Sequence, residues 1–128
     1  MRTVCFILLA GVAITPAGAR AAVSEENFTL HSAADLAALC GAAADDRYYT
    51  AARNFCEGFF EGVYRTVLNE EAAGGLKTFC LPSPPPSRDQ AVSGYVAYAA
   101  QKTTSGTGPA EDSVLEYLQH QYPCGGKK

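Results

Sequence analysis

Asn54 to Val67 reads NFCEGFFEGVYRTV. Cys56, Phe59, Phe60, Val63 and Val67 recur at spacings of three and four, which places them on one side of an α-helix. Tyr49 and Ala52 extend this apolar stripe toward the N-terminus, while Arg53, Glu57, Glu61, Arg65 and Glu70 fall mostly on another side. The pattern predicts a long amphipathic helix from about Asp46 to Ala72, ended by the pair Gly74-Gly75. Gly58 and Gly62 lie one turn apart inside it. Each costs a helix interior about 1 kcal/mol relative to alanine. Two such glycines predict a helix-packing face where another backbone comes close; the alternative is that they only loosen the helix.

Before this helix, VSEENFTLHS reads as an irregular lead-in. Ser32 then caps a first helix, with Asp35 as an acidic partner in its first turn. Leu36, Leu39, Cys40 and Ala43 recur at helical spacing, and Gly41 with Asp45-Asp46 weakens the end. After the long helix, LKTFC is a short extended piece. LPSPPPS can be neither a regular helix nor an inner strand, because each proline lacks a backbone donor. Ser87 and Gln90 form a capping box for a third helix from about Arg88 to Lys102, with Val92, Tyr95, Val96 and Ala99 as its core candidates. TTSGTG is a polar loop. Pro109 takes the first position of a fourth helix, with Glu111 and Asp112 in its first turn. Val114, Leu115, Leu118 and Tyr122 complete that helix, and Pro123 stops it. No period-two pattern and no repeat occurs. The expected fold is all-α: a small four-helix domain with a proline-rich crossing between the second and third helices.

The chain of 128 residues suits one domain. Its N-terminus places Arg2 ahead of the apolar run VCFILLAGVAIT, and PAGARA follows. This is the layout of a cleavable signal peptide covering residues 1–21, with Ala19-Arg20-Ala21 as the cleavage site and a cut after Ala19 as the alternative. The run is shorter than the roughly 18 to 20 residues a membrane span needs. Val12 stands where a lipoprotein signal would carry its cysteine. The expected mature domain is therefore residues 22–128, exported and soluble.

Removing Arg2 and Arg20 takes Lys plus Arg from 10 to 8 against 13 acidic residues, and the net charge from -3 to -5. Without clustered positive charge, nucleic-acid binding is not expected, and nothing points to a membrane surface. Cleavage also removes Cys5 and leaves Cys40, Cys56, Cys80 and Cys124. An even number in an exported chain points to two disulfides, for which three pairings exist. A hairpin of the first two helices brings Cys40 to Cys56, which leaves Cys80 for Cys124; this is the preferred pairing. No C-x-x-C occurs, and His120 with Cys124 does not make a metal site. No metal or cofactor is expected.

Catalytic residue types are sparse. The mature chain has two histidines, His31 in the lead-in and His120 near the end of the last helix, where a cation suits the helix dipole. Oxidised cysteines are not nucleophiles. Glu57 and Glu61 are i,i+4 carboxylates, which can do acid/base work but also form solvated pairs with Arg53 and Arg65. Tyr64, Tyr98 or Tyr117 could face a partner, since tyrosine is common at interfaces.

Cys56 to Val63 (CEGFFEGV), Phe79 to Pro82 (FCLP) and Tyr122 to Cys124 (YPC) together resemble the Rap/Tai immunity family, periplasmic proteins that protect Gram-negative bacteria against peptidoglycan amidase toxins of type VI secretion. The resemblance spans Leu39 to Cys124. Leu81 replaces the usual isoleucine, and Phe59 stands where tyrosine is common. It implies a small helical, disulfide-bonded fold, dimeric in many members. It also implies a periplasmic binding protein, not an enzyme, whose partner is a cognate amidase effector. The expected contact is the loop containing Ser105, Gly106, Thr107 and Gly108, with LPSPPPS second because prolines lower the ordering cost of binding. A reading from another class is a periplasmic structural or acid-stress chaperone-like helical protein.

Overall fold

The computed structural model describes residues 22–102 and 106–125. The expected signal peptide, residues 1–21, lies outside them. Four α-helices form the domain: α1 (Ala33–Cys40), α2 (Tyr49–Ala72), α3 (Arg88–Gln101) and α4 (Ala110–Gln121). No strand occurs among the described residues. All four helices touch one another, and the shortest, α1, makes the most extensive contacts with the other three. Its composition, AADLAALC, explains this: small residues let neighbouring backbones approach, while Leu36 and Leu39 are wholly buried.

Local chemistry sets the boundaries. The Asp35 carboxylate accepts from the Ser32 N–H and hydroxyl, both at 3.0 Å, and closes the first turn of α1. That helix ends at Cys40 with Gly41 as its C-cap, so Ala43, expected in its stripe, is exposed. The start of α2 is three residues later than the pattern predicts, because Asp46 serves as a clamp instead of a helical residue. Its two carboxylate oxygens accept from Tyr48 N and Val23 N, each at 2.8 Å. The lead-in is not irregular throughout: Glu25–Thr29 make a 3-10 turn, capped by Ser24 and Asn27. At the end of α2, Gly74 adopts φ 98°, and Gly75 N–H donates to the Glu70 carbonyl at 2.9 Å. Ser87 and Gln90 make the predicted reciprocal cap of α3 at 2.8 and 3.2 Å. Pro109 is the N-cap of α4, one place earlier than its predicted position.

The core gathers Leu36 from α1, Cys56, Phe60 and Val67 from α2, Val92 and Tyr95 from α3, and Val114, Tyr117 and Leu118 from α4. Phe60, Tyr95 and Tyr117 meet edge to face at ring separations of 5.1 to 6.4 Å. The Ser113 hydroxyl donates to the Ala110 carbonyl at 2.7 Å. A serine has one hydroxyl proton, so the Tyr95 hydroxyl donates to Ser113 Oγ at 2.8 Å. A smaller cluster of Val23, Leu39 and Ala52, with Phe28, Tyr48 and Phe55, holds the lead-in against α2.

Both disulfides take the preferred pairing. Cys40–Cys56 (Cα–Cα 5.2 Å) joins α1 to α2 inside the core, and Cys80–Cys124 (4.9 Å) joins the start of the proline segment to the residues after α4. Their sequence separations of 16 and 44 correspond to about 3 and about 4 kcal/mol in the chain-entropy model.

The glycine reading needs correction. Gly58 and Gly62 are exposed, and a Cβ built on either meets nothing within 4 Å. They lie on the solvent side of α2 and make no helix-packing face among the described residues. The glycine that a close approach does require is Gly94 on α3, which faces the Tyr117 hydroxyl so tightly that any Cβ would overlap it.

Candidate functional site

Residues 81–87 follow the buried anchor Phe79 and form a ridge between two grooves. Cys80 N–H donates to the Tyr122 carbonyl at 2.8 Å, so a backbone hydrogen bond and a disulfide both fix the ridge to the end of α4. On one side, α2 and α3 enclose a small apolar groove of about 190 Å³ floored by Phe60, Tyr64, Leu81, Val92 and Leu118. On the other, α3 and α4 border an open cleft of about 630 Å³. Tyr122 reaches both.

Glu57 and Glu61 stand at the rim of the smaller groove, each with an arginine one turn away on α2: Arg53–Glu57 at 3.3 Å and Arg65–Glu61 at 2.7 Å. The pairs extend across to α3, where Arg88 lies 3.7 Å from Glu61 and Asp89 meets Arg53. The Arg65 hydrogen bond holds the Glu61 carboxyl below the usual carboxylate range. Glu61 is therefore ionised at neutral pH, an acceptor rather than a proton donor. Among the described residues, no group of His, Cys, Asp and Glu has the arrangement of a metal site.

The loop before α4 divides. Ser105 lies outside the described residues. Gly106 and Gly108 accept from the N–H groups of Ala34 (3.2 Å) and Ala33 (2.8 Å), so their carbonyls satisfy the first donors of α1. Gly106, Thr107 and Gly108 are exposed, yet this end of the loop is tied to the fold.

Of the three tyrosines offered as partner-facing, Tyr117 is 2% exposed. Burial, then Tyr122, push its hydroxyl pKa far up, so it stays neutral. The signal was available: Val114, Tyr117 and Leu118 stand at i, i+3 and i+4, a core stripe. Tyr64 and Tyr98 are half-buried and line the smaller groove and the open cleft, respectively. His120 is exposed with its ring 5.2 Å from Tyr98, and His31 lies 3.4 Å from Glu26. Sequence reasoning did not find the two grooves, whose walls come from segments far apart in the chain.

The architecture is that of a small all-α domain held by one buried and one peripheral disulfide, with a rigid proline ridge on its surface. Residues 32–124, which include all four helices and all four disulfide cysteines, match the family model of Rap1a immunity proteins, and the chain belongs to that family. No curated protein and no solved structure matches it. No helix among the described residues is long and apolar enough to cross a membrane.

Proposed function

We propose that this chain is a periplasmic immunity protein that binds and inhibits a peptidoglycan amidase effector of type VI secretion. Its membership of the Rap1a immunity family carries the reading. The physical build agrees with it. Two disulfides suit an oxidising compartment. A body clamped this way offers a surface that loses little freedom on binding. The parts presented to the effector are the loop of Ser105, Gly106, Thr107 and Gly108 and the ridge of residues 81–87. The protein acts by covering the enzyme's cleft and contributes no chemistry of its own.

The test is inhibition. The purified mature chain, titrated into an amidase encoded beside it, is expected to abolish peptidoglycan hydrolysis at equimolar ratio. Undiminished hydrolysis at excess would overturn the reading. Bulky replacements at Ser105 and Thr107 are expected to weaken inhibition; an unchanged titration would remove the loop from the interface.

A further inference from the structure

We propose that the open cleft between α3, α4 and the proline ridge is a binding site for a neutral oligosaccharide. This rests on the lining of the cleft and is independent of the immunity reading. At about 630 Å³ it has the size of a small-ligand site. In a domain whose expected mature charge is -5, no Asp, Glu, Lys or Arg lines it. The lining's one histidine, His120, can donate or accept as a neutral imidazole, and a neutral ligand needs no counter-charge.

The polar groups present suit a ligand rich in hydroxyls. Gln90, Gln101 and Gln121 bring carboxamides, each able to donate and accept. Those of Gln101 and Gln121 bond to no other described residue, and Gln90 uses its oxygen in the α3 cap, which leaves its NH₂ to donate. The opposite wall is Pro82, Pro84, Pro85 and Pro86. Prolines have no N–H, so the backbone polar groups of that wall can only accept. A ligand matching both walls must donate as well as accept. Sugar hydroxyls do both. An extended proline-rich peptide, the other ligand of aromatic grooves, presents carbonyl acceptors with few donors and leaves the proline wall unmatched.

The third requirement is flat apolar surface for the C–H faces of sugar rings. Tyr122 is half-buried at the cleft and offers such a ring with a hydroxyl, and beside it stands Tyr98, also half-buried, whose ring carries Lys102 Nζ at 4.9 Å and packs 5.2 Å from His120. Their positions are fixed by Tyr117, whose ring lies 5.6 Å from Tyr98 and 6.4 Å from Tyr122. The site is preformed on two helices and a disulfide-fixed segment.

The test titrates maltotriose, cellotriose and tri-N-acetylchitotriose separately into the isotopically labelled protein and follows backbone amide shifts by NMR. At least one is expected to bind with a dissociation constant of about 1 mM or tighter. Shifts should centre on Gln101, Gln121 and Tyr122, with affinity unchanged between low and high salt. Gln101→Ala with Gln121→Ala, both exposed helix-surface changes that keep the fold, should weaken binding about tenfold. Absence of saturable shifts with all three sugars, shifts elsewhere on the surface, or tighter binding of a proline decamer or an anionic oligosaccharide would each overturn the assignment.

Discussion

Gly94 shows how much one missing side chain can decide. The Tyr117 ring is enclosed by Phe60, Tyr95, Tyr98 and Tyr122, so its hydroxyl cannot swing away from α3. Any Cβ at position 94 would overlap that oxygen and approach the ring carbon behind it at 3.1 Å. Gly94→Ala is therefore expected to lower stability by about 2 kcal/mol through overpacking, despite alanine's better helix propensity. Tyr117→Phe alone removes the hydroxyl contact with Tyr122 and should cost about 1 kcal/mol. Combined, the two should cost less than their sum by at least about 0.5 kcal/mol, because the second change removes the atom the first collides with. Urea unfolding of the four proteins in the cycle measures this. Additive losses would mean that Gly94 is there for some reason other than Tyr117.

At the scale of the element, α2 presents the opposite case. Gly58 and Gly62 stand in open solvent on a helix of 24 residues. Gly58→Ala and Gly62→Ala should each raise stability, by up to about 1 kcal/mol, as helix propensity dictates where nothing packs. A loss of stability in thermal unfolding of the isolated protein would restore the packing role. The sequence could not distinguish these outcomes, because two glycines at one-turn spacing look the same whether a backbone covers them or water does. Local signals in the sequence match the structure. Ser87 with Gln90, Gly74 after α2, and the stripe of Ala52, Cys56, Phe60 and Val67 each depend on neighbours within a turn or two. Cys40 and Cys56 were legible as a pair because a helical hairpin constrains them. What stayed hidden depends on distant partners: the clamp of Asp46 on Val23, and the cleft between the proline ridge and α4.

At the scale of the whole molecule, titration should attack from two different places. On the acid side, hydrogen bonds hold two carboxyls below their ordinary value of 3.8: Asp35 chiefly through Asn27, Asp46 chiefly through the Tyr48 N–H. Both tie the N-terminal lead-in, Asp35 by way of Asn27 and Asp46 by way of Val23. A carboxyl with a lowered folded pKa adds stability that is present above its unfolded value and lost as pH falls through the folded one. The acid loss should thus begin below about pH 4 and include the lead-in, alongside Glu61 and Glu116, whose carboxyls Arg65 and Lys102 hold low on the helices. On the alkaline side, burial raises the hydroxyl pKa of Tyr95 from its ordinary 10.0 and that of Tyr117 in the same direction. A group with a raised folded pKa contributes fully below its unfolded value and loses that contribution as pH rises through the folded one. Both tyrosines sit among the aromatic rings at the centre, so the alkaline loss should be global, starting above about pH 10. Thermal unfolding followed by circular dichroism should give a plateau between these limits. Asp35→Asn with Asp46→Asn should lessen the acid slope, with Glu61 and Glu116 supplying what remains, and leave the alkaline limb in place. Tyr95→Phe should ease the alkaline limb alone. A double asparagine variant that keeps the full acid slope would show that the lead-in is held by something other than these two carboxylates.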